Sequence, residues 1–339
     1  MKVLELFAGA GGAALGLERA GLEHAALVEW KRTQCQTLRA AGHRCVIQAD
    51  VARYTDWLHR VRGPIDLLWA SPPCQPWSEN GARKGVNDER NLWPATLDVI
   101  ERVRPRWFIG EAVRGMAVHD LDCDFDCTKP GCRGCYLGCD ILGALTGWFP
   151  HCGFFEVNCA DYGVPQERRR IIVWAGPTPL TVPPKHPRGA PAVAQVLDPW
   201  RCPVCAGSRK IDRGMFPATE CRHCDEDGVW LHFAGKPVSI VATGRAGGGV
   251  ARAVMRPAPT IGTKGTAMFV QASPGEKMTP ATPGRRLSAG EEALLMGFPD
   301  AYPWQGNDGQ RREQAGNAVP PALAAAIGRH LLDADAKVR

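Results

Sequence analysis

The stretch VLELFAGAGG, residues 3–12, decides the fold of this chain, because it passes from an apolar run into a glycine-rich turn. Val3 to Phe7 predicts a short buried strand, and Ala13 to Ala20 has the composition of a helix. Glycines between a strand and a helix let the backbone turn sharply and leave the main chain open to a ligand. The stretch therefore predicts a strand-turn-helix unit with a small-molecule site at its turn.

The alternation of strand and helix continues along the first half of the chain. Apolar runs bounded by turn residues predict strands, and helical segments lie between them. The further predicted elements are strands at Ala26 to Glu29, Cys45 to Ala49, Ile65 to Ala70, Trp107 to Gly110 and Arg170 to Ala175, and a helix near Thr33 to Ala41. This pattern predicts an α/β fold with a doubly wound, mostly parallel sheet that binds ligands at the carboxyl ends of its strands.

Length and composition leave room for a second, smaller domain and argue against a membrane protein. The chain has 339 residues, of which 45% are apolar and 22% charged, as is typical of soluble globular proteins. No apolar run is long enough to span a bilayer, and Glu5 interrupts the N-terminal candidate for a signal peptide. We therefore expect a cytoplasmic protein whose 14 cysteines stay reduced and serve metal binding or catalysis.

Prolines crowd the chain after Gly176 and mark the start of the second domain. Residues 177–285 carry 14 Lys and Arg against 7 Asp and Glu, so the whole cationic surplus lies there. This surplus indicates a polyanionic partner, with a solvated basic surface as the plain alternative. We place a hinge segment at 286–312 and a return to the first domain, residues 1–176, at 313–339.

Three residues that follow predicted strands describe an adenosine site near the glycine turn. Glu29 ends the second strand, where a carboxylate can accept hydrogen bonds from ribose hydroxyls. Trp30 could cover one face of an adenine. Asp50 ends the third strand and is placed to meet the adenine edge. The first domain is therefore expected to bind a nucleoside cofactor.

A second decisive stretch, SPPCQPWS at residues 71–78, directly follows the predicted strand that ends at Ala70. Prolines on both sides of Cys74 keep the segment irregular, so its thiol is expected to face a cleft. The thiolate is the reactive form of cysteine, and nearby positive charge is needed to populate it near neutral pH. Cys74 is therefore a candidate nucleophile, and a buried inert thiol is the alternative.

Six stretches in a fixed order make the chain resemble the DNA cytosine-5 methyltransferase family over nearly its whole length. They are residues 7–12 (FAGAGG), Pro73-Cys74-Gln75, Glu111-Ala112-Val113, residues 166–170 (QERRR), Arg286 to Pro299 and residues 316–320 (GNAVP). The chain departs from the family at Ala112, where an asparagine usually braces the cysteine loop. It departs again at Ala318, where a serine is common.

The resemblance implies a reaction and the residues that carry it out. Cys74 would attack C6 of a cytosine rotated out of the duplex, so that C5 can take a methyl group from S-adenosylmethionine. Glu111, protonated near N3, would stabilise the adduct. Arg168 and Arg170, on one face of a strand, would orient Glu111, the base or a phosphate, and Arg169 should point elsewhere. The implied catalytic set is Cys74, Gln75, Glu111, Arg168 and Arg170.

The resemblance also implies the cofactor site and the partner. The S-adenosylmethionine site would be formed by Phe7, Ala8, Gly9, Gly11, Gly12, Glu29, Trp30, Asp50, Pro73, Asn317 and Val319. The partner would be double-stranded DNA, and residues 177–285 stand where the family has its variable target-recognition domain. Within them Arg252 to Lys264, with Pro259-Thr260-Ile261, resembles the small conserved element of such domains. We expect a monomeric enzyme of DNA methylation and restriction-modification.

Two groups of cysteines predict structural zinc. Cys202, Cys205, Cys221 and Cys224 form two CxxC pairs separated by fifteen residues, which is the spacing of a four-thiolate zinc ribbon. Such a site would fold a segment too short and polar to bury a core. A second cluster, Cys123, Cys127, Cys132, Cys135 and Cys139, offers five thiols for four positions. We expect the first four of them as ligands of a second zinc, and a loop with free thiols is the alternative.

Three other functions stay open at this point. Gly9, Gly11 and Ala14 also match the GxGxxA pattern of dinucleotide sites, so a nicotinamide oxidoreductase fits that turn alone. A transfer-RNA cytosine methyltransferase would use the same chemistry on another nucleic acid. A noncatalytic DNA-binding relative is favoured slightly by Ala112. The nicotinamide oxidoreductase is the weakest of the three, because it leaves Pro73-Cys74-Gln75 and the arginines unexplained.

Overall fold

A computed structural model describes residues 1–77, 87–117, 136–197, 210–213, 216–220, 238–242, 252–253, 258, 260–261, 266–270 and 284–338. Within these ranges, seven strands form the central sheet in the order β3-β2-β1-β4-β5-β7-β6. These strands are β1 (Lys2–Leu6), β2 (Glu23–Glu29), β3 (Val46–Gln48), β4 (Leu67–Ala70), β5 (Trp107–Val113), β6 (His151–Asn158) and β7 (Arg169–Gly176). Among the same residues, no helix combines the length and apolar character needed to cross a bilayer.

The five strands β1 to β5 are parallel, whereas β7 pairs antiparallel with both β5 and β6. The strand order reverses between β1 and β4, which are neighbours in the sheet. At such a point the loops that follow two adjacent parallel strands diverge and leave a crevice at their carboxyl ends. The expected α/β fold with a mostly parallel sheet is confirmed, and the sheet is mixed because β7 runs antiparallel to its neighbours. The edge strand β6 was not predicted, because its side chains are mostly half-buried and give no clear apolar alternation.

Eight α-helices lie within the described ranges. They are α1 (Gly12–Arg19), α2 (Arg32–Ala40), α3 (Trp93–Val103), α4 (Gly143–Thr146), α5 (Val193–Val196), α6 (Ala289–Leu295), α7 (Asp308–Asn317) and α8 (Pro321–Ala336). Helix α8 returns to pack on α1 so closely that a Cβ on Gly16 would lie 2.3 Å from the Pro321 carbonyl oxygen. Leu323 and Ile327 of α8 therefore lie in the same hydrophobic core cluster as Val3 of β1 and Leu17 of α1.

A separate antiparallel sheet occupies part of the expected second domain. Its order is β11-β10-β12-β13, from β10 (Val238–Ala242), β11 (Arg252–Ala253), β12 (Thr266–Val270) and β13 (Gly284–Arg286). An antiparallel hairpin, β8 (Lys210–Arg213) and β9 (Phe216–Glu220), precedes it. The expected hinge, 286–312, contains α6 and the start of α7. The four domain boundaries drawn from the sequence stay predictions.

Candidate active site

A cavity of about 300 Å³ opens at the carboxyl ends of the parallel strands. It joins both groups of residues that the sequence singled out, the glycine turn after β1 and the cysteine loop after β4. From the expected cofactor set its walls contain Phe7, Ala8, Gly9, Gly12, Glu29, Trp30, Pro73, Asn317 and Val319, and from the expected catalytic set Cys74, Gln75, Glu111, Arg168 and Arg170. Two parts of the sequence 60 residues apart thus meet in one space.

The turn after β1 has a backbone that a ligand site requires. Phe7 adopts a φ of 57°, a left-handed conformation that is rare for a large side chain and is found mainly at functional sites. Gly9 follows with a φ of 55°, and a Cβ there would meet only the Phe7 carbonyl oxygen, at 4.0 Å. Gly12 opens α1 against the Val319 carbonyl oxygen, which a Cβ would approach to 2.1 Å. The turn therefore exposes main chain to the cavity while it packs tightly behind.

Glu29 is the buried carboxylate of this end of the cavity. It accepts hydrogen bonds from the backbone N–H of Gly9 at 2.9 Å and of Lys31 at 2.8 Å. Burial raises the pKa of Glu29, and these backbone donors oppose the rise. Beside it the Trp30 ring is 64% exposed, although it also lines the cavity. A buried acceptor next to an exposed aromatic face fits a ribose and a purine.

Two residues of the expected cofactor set do not line the cavity. Gly11 lies behind the turn with a φ of 89°, and a Cβ there would lie 2.8 Å from Leu38 Cδ2 and 3.0 Å from the Tyr302 hydroxyl. Asp50 is exposed, and its Oδ1 accepts a hydrogen bond from the Ala52 N–H at 3.0 Å as the cap of a short 3₁₀ turn. Gly11 thus permits close packing, and an adenine contact by Asp50 stays a prediction.

Cys74 is half-buried in the irregular loop after β4, and the Trp77 N–H closes a turn onto its carbonyl oxygen at 3.1 Å. Burial raises the pKa of the Cys74 thiol above its ordinary value. The positive charges of Arg170 and Arg168 lower it, and the negative charge of Glu111 opposes them. The thiol of the free protein is therefore mainly neutral at pH 7, with two cations placed to stabilise its thiolate.

Glu111 and Arg170 come from adjacent antiparallel strands, where Glu111 opposes Ile172 and Arg170 opposes Val113. Arg170 Nε forms an ion pair with Glu111 Oε1 at 2.6 Å, and both side chains are almost fully buried. Arg169, between the two inward arginines, is exposed and pairs with Glu156. The expected alternation along this strand is thereby confirmed.

Arg168 contacts the backbone of distant segments, and its expected role in orienting Glu111, the base or a phosphate stays a prediction. Its guanidinium donates to three backbone carbonyl oxygens, those of Ile261 at 3.2 Å, Gly316 at 3.1 Å and Ala318 at 3.2 Å. Burial and the charge of Arg170 lower the pKa of Arg168 to about 10. Arg168 therefore ties the central sheet to the segment at 260–261 and to the end of α7, and its charge acts on Cys74 from there.

The cavity walls also contain residues that sequence reasoning did not select for the site, among them Glu5, Gln34, Arg90 and Gln314. Glu5 is buried in the middle of β1, where its carboxylate contacts His24 Nε2 at 2.9 Å. Gln314 lies on α7, and the hydroxyl of Thr37 on α2 donates to the Gln314 Oε1 at 2.6 Å. Glu5 was visible as an interruption of an apolar strand. The other three carry no local signal.

The eight cysteines expected to bind zinc, Cys123, Cys127, Cys132, Cys135, Cys202, Cys205, Cys221 and Cys224, lie outside the described residues. Cys139, the fifth member of the first cluster, is exposed in the turn after Tyr136. In the part of the chain that is described, no group of three or more His, Cys, Asp or Glu side chains could hold a metal ion. Both zinc sites therefore stay predictions.

Comparison with known proteins gives consistent matches over the chain. Residues 1–129 and 237–333 match the family of C-5 cytosine-specific DNA methylases. The type II methyltransferase M.PspPI of Psychrobacter is 29% identical over 97% of this chain and 78% of its own, and M.NgoMIV of Neisseria gonorrhoeae is 28% identical over 98% and 97%. A proposed DNA modification methyltransferase encoded in an E. coli prophage has a similar fold, with a TM-score of 0.66 and 20% identity over 98% of this chain and 99% of its own.

Proposed function

Because this chain belongs to the family of C-5 cytosine-specific DNA methylases, we propose that Cys74 is the residue that attacks C6 of the target cytosine. The chain is a DNA cytosine-5 methyltransferase that uses S-adenosylmethionine, and the assignment of its residues is the proposal. The observation that carries it is the meeting of Cys74, Glu111 and Arg170 with the glycine turn in one cavity.

S-adenosylmethionine fits the end of the cavity formed by the turn after β1. When bound, it supplies a methyl group on a sulfonium sulfur that a carbon nucleophile can take. We assign the ribose hydroxyls to Glu29, whose carboxylate is buried and held by two backbone N–H groups. Trp30 would cover the adenine with its exposed ring. The unobstructed backbone at Gly9 leaves room for the rest of the cofactor.

The reaction proceeds by addition and elimination at the C5–C6 double bond. Bond formation from Cys74 Sγ to C6 moves electron density to C5 and into the ring, and C5 then takes the methyl group. Arg170 occupies Glu111 Oε1, and we assign the other oxygen of this carboxyl group to N3 of the base, where a proton neutralises the developing charge. Water in the cleft then takes the proton on C5, and the electron pair of the C5–H bond re-forms the C5–C6 double bond as the Sγ–C6 bond breaks. Cys74 leaves as a thiolate, and N3 returns its proton to Glu111. The base must leave the duplex stack for this, because C6 is inaccessible within it.

We propose double-stranded DNA as the substrate, held by the basic residues 177–285, as part of a restriction-modification system. The type II methyltransferases among the relatives support this choice. Arg168 would couple recognition to catalysis, since it donates both to Ile261 in that segment and to Gly316 in the last motif. The monomeric state and the cytoplasmic location expected from the sequence stay predictions.

We also propose that Cys202, Cys205, Cys221 and Cys224 hold a structural zinc. The hairpin of β8 and β9 supports this, because its strands lie between the two CxxC pairs and β9 ends at Glu220, directly before Cys221. Lys210 pairs with Glu220, so the chain enters and leaves the hairpin at one end. Elemental analysis of purified protein should find at least about one zinc per chain and less in Cys221→Ser, with weaker DNA binding after chelation. Zinc-free protein that binds DNA normally would end this proposal.

The proposed function is tested by conversion-based sequencing of DNA from cells that express the protein. We expect cytosine methylation at a defined sequence with the wild-type chain and none with Cys74→Ala. Methyl incorporation into transfer RNA but not into DNA would instead support the RNA enzyme. If neither DNA nor transfer RNA is methylated although the wild-type protein still binds DNA, the result would support the noncatalytic relative.

A further inference from the structure

In the family that this chain resembles, an asparagine usually braces the loop that carries the nucleophile. Ala112 stands at that position here and has no side-chain amide with which to hold the Cys74 loop. Trp77 is nevertheless fixed relative to Cys74, because its N–H donates to the Cys74 carbonyl oxygen at 3.1 Å. A displacement of the Trp77 backbone would therefore also displace the backbone of Cys74, three residues earlier in the chain. What holds Trp77 in place should then influence the rate of attack on the base.

Trp77 is enclosed from two directions. Its ring stacks on Tyr136, with ring centroids 5.0 Å apart and an angle of 16° between the planes. Its carbonyl oxygen lies against Gly115, where an added Cβ would approach it to 2.1 Å. Gly115 lies four residues after Glu111 and so connects this contact to the carboxylate of the active site. The packing places the Cys74 loop and the Glu111 strand in a fixed relation.

Tyr136 also reaches the chain that returns after the cysteine loop. Asn91 Nδ2 donates to the Tyr136 hydroxyl at 2.9 Å, and the ring of Tyr136 is buried. Asn91 stands just before α3, on the far side of residues 78–86 from Trp77. One tyrosine thus contacts the chain both before and after that segment, with its aromatic face on Trp77 and its hydroxyl on Asn91.

From this arrangement we propose that Tyr136 is a positioning residue for Cys74, holding the nucleophile's loop through Trp77 in place of the missing asparagine. The inference rests on the proposed role of Cys74. Tyr136 touches neither reacting atom, so its effect should fall on the rate of attack and spare the binding of cofactor and DNA. Misplacement of a reacting group by about 1 Å can lower a rate about 100-fold.

The test measures how fast each variant forms a covalent adduct with duplex DNA in which 5-fluorocytosine replaces cytosine, in the presence of S-adenosylmethionine. We expect Tyr136→Leu, which loses the stack, to form the adduct about 10- to 100-fold more slowly. Tyr136→Phe keeps the stack and should restore most of the rate. Dissociation constants for S-adenosylmethionine and DNA should stay within about threefold of wild type in both.

A matched control is Tyr162→Phe, which removes another buried tyrosine hydroxyl, one that donates to the Pro183 carbonyl oxygen at 3.2 Å, and should leave the adduct rate unchanged. If Tyr136→Leu does not fold, Gly115→Ala decides, because it presses on Trp77 from the other side and should also slow the adduct. An unchanged rate in folded Tyr136→Leu, or in Gly115→Ala where it decides, would overturn the inference. So would a loss that merely parallels weaker binding of both ligands. A wild-type protein that forms no adduct would instead remove the role of Cys74 itself.

Discussion

Arg170 Nε lies 2.6 Å from Glu111 Oε1, and the two side chains are 9% and 10% exposed. Antiparallel pairing of β5 with β7 brings them together, although they are 59 positions apart in the sequence. A buried ion pair is costly to break, because removal of one partner leaves the other charge without compensation. The pair therefore fixes a carboxyl group in the wall of the cavity that also contains Cys74.

Glu111→Gln should lower the rate of methyl transfer about 100-fold or more, because the amide can still accept from Arg170 but cannot deliver a proton to the base. Single-turnover transfer of labelled methyl groups to DNA measures this. Glu156→Gln, which changes the half-buried carboxylate paired with Arg169, is the matched control and should keep the wild-type rate. Equal rates in both variants would exclude Glu111 from catalysis.

The reactivity of Cys74 should rise with pH. Burial holds the pKa of its thiol above the ordinary value, so the neutral form dominates at pH 7 and the thiolate grows as pH increases toward that pKa. Arg170→Gln removes a charge that lowers the pKa, so its alkylation profile should move to still higher pH. The measurement is the rate of iodoacetamide labelling of the Cys74 peptide, followed by mass spectrometry. Arg169→Gln should leave the profile in place, and a downward shift for Arg170→Gln would contradict the electrostatic account.

Trp30→Ala should weaken S-adenosylmethionine binding about 2- to 10-fold, as expected for loss of one aromatic stack. Because the ring is 64% exposed, the melting temperature of the free protein should stay almost unchanged. Calorimetric titration with the cofactor and a thermal melt on the same samples separate the two effects. Wild-type affinity in the variant would remove Trp30 from the cofactor site.

Gly16→Ala should reduce the free energy of unfolding by about 1–3 kcal/mol through overpacking of α1 against α8. Its Cβ would lie 2.3 Å from the Pro321 carbonyl oxygen and 2.6 Å from Ala324 Cβ. Gly309→Ala is the control in another helix, because its Cβ would meet only Asn307 Oδ1, at 3.5 Å. That variant should be as stable as wild type or slightly more stable. Denaturant titrations of the two proteins should therefore diverge, and a Gly16→Ala curve identical to wild type would contradict the packing.

Much of the sheet and its site was predictable because local patterns dictate them. The apolar run and glycines of residues 3–12 lead to β1, the turn and α1, and the prolines around Cys74 to an irregular loop. Alternation along a strand placed Arg168 and Arg170 inward and Arg169 outward. Each of these inferences uses neighbours in the sequence, where steric rules are strong.

Long-range relationships were less accessible. The antiparallel placement of β7 beside β5 and the edge strand β6 arise from packing, and β6 has too weak an apolar pattern to be recognised. Helix α7 lies partly within a segment expected to be a hinge. Its Gln314 lines the cavity and accepts a hydrogen bond from the Thr37 hydroxyl. Their spacing of two predicted that the side chains of Arg168 and Arg170 point inward. It could not predict their partners, because those partners come from distant segments of the chain. Hence the three carbonyl groups that Arg168 contacts were not predicted.

The central claim is that the Cys74 sulfur bonds to a cytosine carbon, and trapping with 5-fluorocytosine DNA tests it most directly. In this substrate the atom at C5 cannot leave as a proton, so the bond from the enzyme to C6 persists after methyl transfer. We predict a denaturant-resistant protein–DNA species whose attached nucleotide maps by mass spectrometry to the peptide containing Cys74, and no such species from Cys74→Ser. Absence of the species with active wild-type protein, or attachment at another cysteine, would contradict the account.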